Sequence, residues 1–211
     1  VYDYSFSKYG DALVYLSLIK GKVDTTKVFM LKKDAEKPVL LYTGKGYGKE
    51  ITVDSKGGQV AFIHSPDTAK VKRYGLYYSD TKSVNKVADY NSPFMIADWE
   101  VSPYTDMMFS ADDSKLYFHT APKLQPEPKD SLLDEEKHKV DVWNYQDHFL
   151  QTQQLHDLDK TKKKKYLAVY DKGLNNLYQI EDLKFENVKY PKSGNTDYYL
   201  GIDENTYKRS Q

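Results

Sequence analysis

A ten-residue pattern of hydrophobic and polar positions recurs three times along the chain. The copies occupy residues 6–15, 53–62 and 109–118, so they start 47 and 56 residues apart. In each copy a hydrophobic residue precedes a polar, turn-forming stretch, and an apolar triplet begins seven positions after that residue. A repeat of roughly 40 to 50 residues built from short strands and tight turns is typical of the blades of a β-propeller.

The apolar runs around these copies predict strands that group in fours. Two complete groups come first, a third is interrupted, and a fourth has an imperfect register and stops after two strands. The strands are predicted near residues 4–6, 13–19, 28–31, 39–42, 50–53, 60–63, 74–78, 85–88, 107–109, 115–119, 166–170, 176–180, 188–190 and 197–201. The predicted fold class is all-β, a partial β-propeller of about three and a half four-stranded antiparallel blades.

The predicted blades cover residues 1–49, 50–100 and 101–185, and an incomplete blade covers residues 186–211. A propeller usually closes with at least four blades, and an unclosed blade leaves a strand edge unpaired. We therefore expect the chain to be a piece of a larger ring. Self-association through the open blade edges is a further expectation.

The third blade contains a long, partly helical insertion, predicted at residues 122–160. Within it, residues 130–137 predict a short helix, and residues 140–145 alternate as in a strand or an edge segment. Residues 148–155 are amphipathic, as in one or two helical turns. A long insertion in a blade loop is often functional, and it can equally serve packing. The pattern leaves both roles open.

The composition excludes several classes of protein. Lys plus Arg and Asp plus Glu both number 31, so the chain lacks the basic excess of a nucleic-acid binder, and no nucleic-acid partner is expected. The absence of cysteine excludes disulfides, thiolate nucleophiles and Cys-ligated zinc. No apolar run approaches the roughly 18 residues that cross a bilayer, so no membrane span is predicted. The 20 tyrosines suit half-buried sheet faces.

No residue pattern predicts a catalytic centre, a cofactor or a metal site within this chain. The five histidines include no pair at i, i+4 and no H-E-x-x-H motif. His64 and His119 follow equivalent strands, which favours a structural or loop role. Asp112 and Asp113 lie in the turn of the third repeat copy, and we interpret them as turn residues rather than as a pair of catalytic carboxylates.

Two stretches of the sequence resemble one family of enzymes. Residues 109–118 resemble the blade repeat of the N-terminal propeller of prolyl-oligopeptidase-family serine peptidases, which include the dipeptidyl-peptidase-IV-like enzymes, and of the related TolB-type propellers. Residues 139–155, followed by 165–170, resemble the insertion in propellers of the Bacteroidetes branch of that family. The resemblance implies a two-domain enzyme, in which the propeller caps an α/β-hydrolase domain with a Ser-Asp-His triad, and a periplasmic or secreted location.

The hydrolase half of such an enzyme is expected outside this chain. Its triad serine lies on a G-x-S-x-G elbow, and that motif does not occur in these 211 residues. Residues 44–48 have glycines in similar positions, with Gly46 where the nucleophile would lie. We therefore expect this chain to be non-catalytic and its parent to be a serine-type oligopeptidase or dipeptidyl peptidase.

The resemblance also implies candidate substrate contacts. Some relatives bind the free amino terminus of the substrate with two adjacent glutamates of the propeller, and Glu135–Glu136 is the one Glu-Glu pair here. Glu135, Glu136 and Trp143 are therefore candidate substrate contacts. A solvated helix face is the favoured interpretation of the two glutamates. Trp99 and Trp143 also suit core anchors, because large aromatic side chains bury well where blades meet.

Two functions follow from these observations. In the first, the chain gates and positions peptide substrates for a hydrolase domain in the same polypeptide. In the second, it is a TolB-like propeller scaffold that binds a protein or peptide partner and has no enzymatic role. A propeller glycosidase ranks last, because it needs separated, inward-facing carboxylates that the sequence does not place.

Overall fold

The computed structural model describes residues 1–125 and 151–203. Its first sheet is a meander of four antiparallel strands in the order β1-β2-β3-β4, and its second repeats that order with β5-β6-β7-β8. The strands of the first sheet are β1 (Asp3–Phe6), β2 (Ala12–Ile19), β3 (Thr25–Lys32) and β4 (Val39–Lys45). The strands of the second sheet are β5 (Tyr47–Val53), β6 (Val60–Ser65), β7 (Gly75–Ser79) and β8 (Val84–Ala88).

The third sheet has the same meander, with one additional strand and the insertion. Its main path is β10-β11-β12-β13, and β9 pairs with the far end of β11, where Val101 lies opposite Thr120. The elements are β9 (Trp99–Val101), β10 (Met108–Phe109), β11 (Lys115–Pro122), α1 (Gln151–His156), α2 (Leu158–Lys162), β12 (Tyr166–Asp171) and β13 (Asn176–Gln179). A two-stranded sheet follows, formed by β14 (Asn187–Lys189) and β15 (Leu200–Ile202).

The first strands of the three meanders lie side by side, because β1 contacts β5 and β5 contacts β10. Each meander then runs outward from this inner row, strand by strand, to β4, β8 or β13. Consecutive four-stranded sheets that radiate from a common row of inner strands are the blades of a propeller. The predicted all-β partial propeller with a partly helical insertion is therefore confirmed.

Apolar side chains between neighbouring blades form the core. Between the first and second blades lie Val14, Leu16, Val28, Met30, Ile51, Val53, Val60 and Phe62. Between the second and third blades lie Ala61, Ile63, Tyr74, Leu76, Tyr78, Ala88, Val101, Leu116, Phe118, Ala168 and Tyr170. Tyr117, Leu167 and Val169 form a third layer, against which Tyr190 and Tyr199 of the last, two-stranded unit pack.

These layers explain the pattern of hydrophobic residues in the strands. Successive side chains of a strand point to opposite faces. The residues of β6 are all buried, because one face packs on the first blade and the other on the third. In β2 buried positions alternate with half-buried ones, since only one of its faces meets a neighbouring blade in the described structure.

The turn between the first two strands has the same hydrogen bonds in each of the three blades. The N–H of Ser7 donates to the carbonyl of Ala12 at 2.9 Å, and the N–H of Ala12 donates to Ser7 Oγ at 2.9 Å. Asp54 makes the equivalent pair of bonds with Gln59, and Ser110 makes it with Lys115. The recurring sequence pattern is therefore the signature of one repeated turn.

The fourth residue of each turn has a positive φ: Gly10 (+74°), Gly57 (+68°) and Asp113 (+61°). Asp113 is nearly buried, and its carboxylate accepts hydrogen bonds from the N–H (3.1 Å) and the Oγ (2.7 Å) of Ser55 in the second blade. Asp112 accepts from Ser110 Oγ at 2.7 Å within its own turn. The interpretation of both aspartates as turn residues is confirmed.

The described part of the insertion consists of its two ends. The predicted helix at residues 130–137 and the predicted strand at residues 140–145 lie outside the described residues. The amphipathic stretch predicted at residues 148–155 overlaps α1, which begins at Gln151. Among the helices that the structure describes, none has the length and apolar character needed to cross a bilayer.

Candidate functional site

The two ends of the inner strands carry different chain segments. The repeated turns at residues 7–11, 54–59 and 110–114 lie at one end, which we call the turn end. The loops that join the second and third strands of each blade lie at the other, the loop end. A shallow groove of about 330 Å³ lies at the turn end, with Phe6, Phe109 and Lys192 in its wall.

A larger cleft, of about 890 Å³, opens at the loop end, and we call it the loop-end cleft. This volume lies within the range of small-molecule and short-peptide sites, roughly 300 to 1,000 Å³. All three blades contribute to its wall, together with Leu124 and Gln125 at the start of the insertion and Lys162 at the end of α2. The described lining residues are Asp24, Tyr47, Lys49, Lys70, Val71, Lys72, Tyr74, Pro103, Tyr104, Leu124, Gln125 and Lys162.

Tyr47 is brought into the cleft by the crossing from the first blade to the second. Gly46 has a φ of +121°, and a Cβ there would lie 2.1 Å from the carbonyl oxygen of Ser65. A Cβ on Gly48 would lie 2.5 Å from Thr26 Cγ2, and the N–H of Gly48 donates to Thr26 Oγ1 at 2.7 Å. The glycines of residues 44–48 thus allow a tight strand-to-strand crossing, which has no nucleophile at Gly46.

Lys49 reaches the cleft from a β-bulge in β5. The register shifts between Lys49 and Ile51, and Glu50, the additional residue, has a φ of +52°. A non-glycine residue in this region is strained, and bulges with such strain are concentrated next to functional sites. The Lys49 side chain is 19% exposed, and its Nζ lies 5.8 Å from the ring centre of Tyr74 and 5.3 Å from that of Tyr104.

The charge of Lys49 is only partly compensated. Its Nζ lies 3.8 Å from the carboxylate of Glu50, a longer separation than that of a hydrogen-bonded ion pair. Burial lowers the pKa of Lys49, while Glu50 and Asp3 act in the opposite direction. Burial also raises the pKa of Glu50. The Asp3 carboxylate already binds the backbone of β5, because its Oδ2 accepts a hydrogen bond from the N–H of Ile51 at 3.1 Å.

Tyr104 is held at the rim by Lys165, the residue before β12. Lys165 Nζ donates to the carbonyl of Tyr104 at 2.8 Å and also contacts the carboxylate of Asp106. His119 lies beside this pair, with its Nδ1 3.1 Å from the carbonyl oxygen of Asp106. Burial, together with the nearby charge of Lys165, lowers the pKa of His119 to about 4, so the ring is neutral at pH 7.

A buried ion pair supports the floor behind Tyr74. Glu100 in β9 is 1% exposed and accepts from Arg73 Nε at 3.1 Å. The guanidinium of Arg73 also stacks 3.4 Å above the ring of Tyr90. Burial raises the pKa of Glu100, and Arg73 opposes that shift. The pair anchors β9 to the residue before Tyr74, and no spacing in the sequence indicated it, because Arg73 lies in the loop before β7 and Glu100 lies in a different blade.

The candidate substrate contacts named from the sequence, Glu135, Glu136 and Trp143, lie outside the described residues. His138 and His148 lie there as well. The other candidates have structural positions: Trp99 is buried with its ring 4.6 Å from that of Tyr166. Across residues 1–125 and 151–203, no three His, Asp or Glu side chains form a group that would hold a metal ion.

His64 has the structural role that the sequence favoured. The ring is 2% exposed and meets the rings of Tyr42 and Tyr77 edge-on, at 5.4 and 5.7 Å. Burial lowers the pKa of His64, so the ring is packed in its neutral form. His64 therefore packs between side chains of the first and second blades and lines neither the turn-end groove nor the loop-end cleft.

Sequence reasoning missed the residues of the loop-end cleft. Tyr47, Lys49, Tyr74 and Tyr104 are far apart in the chain, and each looks like an ordinary strand or loop residue. Only the glycines around Tyr47 gave a signal, because three glycines within five residues mark a tight approach of backbone to backbone. The cleft is created by the side-by-side arrangement of blades.

No protein-family model matches the chain, and no curated relative matches it. The chain is similar to parts of several larger solved structures. They include a putative TolB from Agrobacterium tumefaciens (16% identity, TM-score 0.43) and an oligogalacturonate lyase in complex with manganese (9%, 0.46), each covering 83% of this chain. The tricorn protease covers 90% of it at 8% identity and a TM-score of 0.46. The chain spans 47%, 40% and 19% of these three structures, respectively.

Proposed function

We propose that this chain is a non-catalytic propeller segment that binds a peptide at the loop-end cleft and positions it for a hydrolase domain elsewhere in the same polypeptide. The observation that carries the proposal is the cleft itself, with its 890 Å³ volume and its wall of three tyrosines and four lysines. A periplasmic or secreted location belongs to the same proposal and comes from the family resemblance.

The lining suits a peptide better than a small apolar ligand. Each tyrosine presents a flat apolar ring and a hydroxyl that can donate or accept a hydrogen bond, and such side chains are enriched where proteins bind peptides and proteins. Tyr74 is rigidly held, being 6% exposed, whereas Tyr104 at the rim is 38% exposed. An ordered floor and an accessible rim favour a ligand that lies along the cleft.

The contacts of the described histidines favour peptide binding over acyl transfer by this chain. The Nδ1 atoms of His64, His119 and His156 lie next to the hydroxyl of Tyr42, the carbonyl of Asp106 and the carboxylate of Asp157. A hydrolytic triad instead needs an imidazole against a nucleophilic hydroxyl beside an oxyanion hole. Catalysis is therefore assigned to another domain, as the family resemblance implies.

The second candidate function is a TolB-like scaffold that binds a protein or peptide partner without enzymatic activity. It uses the same cleft and the same propeller, and it differs in requiring no hydrolase domain. The blade architecture is common to both functions, so the fold does not separate them.

The experiment that separates them uses the full-length product of the reading frame. We expect a fluorophosphonate probe to label one serine outside residues 1–211, located by mass spectrometry of the adduct peptide. Prior heat denaturation of the protein should abolish the labelling. If the folded protein gives no adduct, the peptidase part of the proposal is wrong and the scaffold function takes its place.

A further inference from the structure

The described wall of the loop-end cleft carries an excess of positive charge, whereas the whole chain has none. Lys plus Arg equals Asp plus Glu over the whole sequence, yet the described lining residues include four lysines and one aspartate. A patch of one sign within a concave, partly apolar wall concentrates ligands of the opposite sign. The excess is therefore specific to the part of the cleft wall that the structure describes, since the average charge of the protein is zero.

We propose that the loop-end cleft selects peptides with acidic side chains, whose carboxylates are bound by Lys49 in the floor and by Lys70 and Lys72 at the rim. The inference rests on the proposed peptide-binding function and specifies the class of peptide. It gives the propeller a role in choosing among peptides by charge.

Lys49 is the central residue of this inference. Its side chain is only 19% exposed, its Nζ lies 5.8 Å and 5.3 Å from the ring centres of Tyr74 and Tyr104, and the carboxylate of Glu50 is 3.8 Å away. An ammonium group has three donors, so donors remain for a ligand. Tyr74 also lines the cleft, and a tyrosine hydroxyl, which is protonated at neutral pH, can donate to a carboxylate.

The rim lysines extend the same charge along the cleft. Lys70 is exposed, and Lys72 is half-buried with its Nζ donating to the carbonyl of Ala69 at 2.9 Å. Both belong to the loop between β6 and β7, whereas Lys49 belongs to β5. Cations on separate elements favour a ligand with several spaced carboxylates, which an acidic peptide provides.

The test compares three labelled octapeptides by fluorescence polarisation on the full-length product. Their termini are acetylated and amidated, and they differ only in carrying four Glu, four Gln or four Lys. We expect the Glu peptide to bind at least tenfold more tightly than the Gln peptide, the Lys peptide to bind least, and the Glu affinity to fall as salt is raised.

Lys49→Gln should weaken binding of the Glu peptide roughly fivefold, the upper end for loss of one partly exposed charge pair, and weaken binding of the Gln peptide by a smaller factor. The double variant Lys70→Gln/Lys72→Gln, which changes rim residues, tests the same inference should Lys49→Gln unfold the chain. Lys37→Gln is the matched control, because Lys37 is exposed in the turn between β3 and β4, at the opposite end of the blades.

The outcomes separate the inference from the function on which it rests. Equal affinity for the Glu and Gln peptides would overturn the charge selection and leave peptide binding in place. Binding of none of the three peptides would overturn both. A single-stranded oligonucleotide that displaces the Glu peptide at a lower concentration than unlabelled Glu peptide does would also overturn the inference, in favour of a nucleic-acid phosphate site.

Discussion

At the scale of single residues, the repeated turn shows how a local backbone demand becomes a sequence pattern. Its fourth position needs a positive φ, which glycine adopts without steric cost and which aspartate tolerates better than most residues. The chain has glycine there twice and Asp113 once. In the second blade this position also faces the first blade at close range. A Cβ added to Gly57 would lie 2.4 Å from the Cβ of Ala12, so only glycine fits without a shift.

Gly57→Ala should therefore cost more stability than Gly10→Ala. Both substitutions place alanine at a positive φ, at about 1 kcal/mol each. Only Gly57→Ala also forces a methyl group against Ala12, since the space around Gly10 is empty within 4 Å. We expect a loss of about 2–4 kcal/mol for Gly57→Ala and about 1 kcal/mol for Gly10→Ala in urea unfolding.

Equal losses for the two variants would contradict the contact between blades at this turn. Gly10→Ala is a close control, because the two glycines have nearly the same φ, +74° and +68°, and equivalent places in the repeat. The difference between the two free energies of unfolding thus isolates the packing of one blade on the next.

At the scale of elements, the sequence predicted the strands well and the irregularities poorly. The alternating pattern of β2 indicates a strand by its period of two, and the short apolar run of β6, bounded by turn residues, fits a strand that is buried on both faces. The strand β9 was missed, because its three residues form a strand only by pairing with the far end of β11. The bulge at Glu50 was missed as well, because nothing in its side chain favours a positive φ.

The substitution Glu50→Gly tests what the bulge does. Glycine relieves the strain of a φ of +52°, so we expect the stability of the fold to be kept. It also removes the carboxylate 3.8 Å from Lys49, so the affinity for the Glu octapeptide should rise roughly two- to fivefold. Polarisation binding and urea unfolding on the same preparation measure both effects.

Glu50→Val is the contrasting variant, because a β-branched residue is poorly tolerated at positive φ and should lower stability. A fully stable Glu50→Gly protein with unchanged or weaker affinity for the Glu peptide would show that Glu50 does not compete with the ligand for Lys49. The bulge would then be explained by backbone geometry alone.

At the scale of the molecule, the first blade presents an uncovered apolar face. Tyr4 and Phe6 are each 61% exposed, and Tyr15 stacks on Phe29 at 5.1 Å on the side turned away from the second blade. In the second blade the corresponding side chains, Ile51, Val53 and Phe62, are buried against the first blade. Self-association through the open edges stays a prediction, as does the larger ring of which the chain would be a piece.

The sequence resemblance and the structure contribute different parts of the functional account. The repeat could be recognised in the sequence because three turns of the same geometry require three similar residue patterns. This repeat predicted the propeller. The loop-end cleft could not be predicted from the sequence, because its lysines and tyrosines belong to separate blades and come together only when the blades pack. The hydrolase domain and the substrate contacts Glu135, Glu136 and Trp143 stay predictions.

The central claim is that a peptide binds at the loop-end cleft, and photo-crosslinking tests it most directly. The Glu octapeptide, with one benzoylphenylalanine, would be irradiated with the full-length product and the adducts located by mass spectrometry. We predict adducts on lining residues of the cleft, such as Tyr47, Tyr104 or the segment 70–72. Adducts confined to the turn-end groove around Phe109 and Lys192, or to residues outside 1–211, would contradict the account.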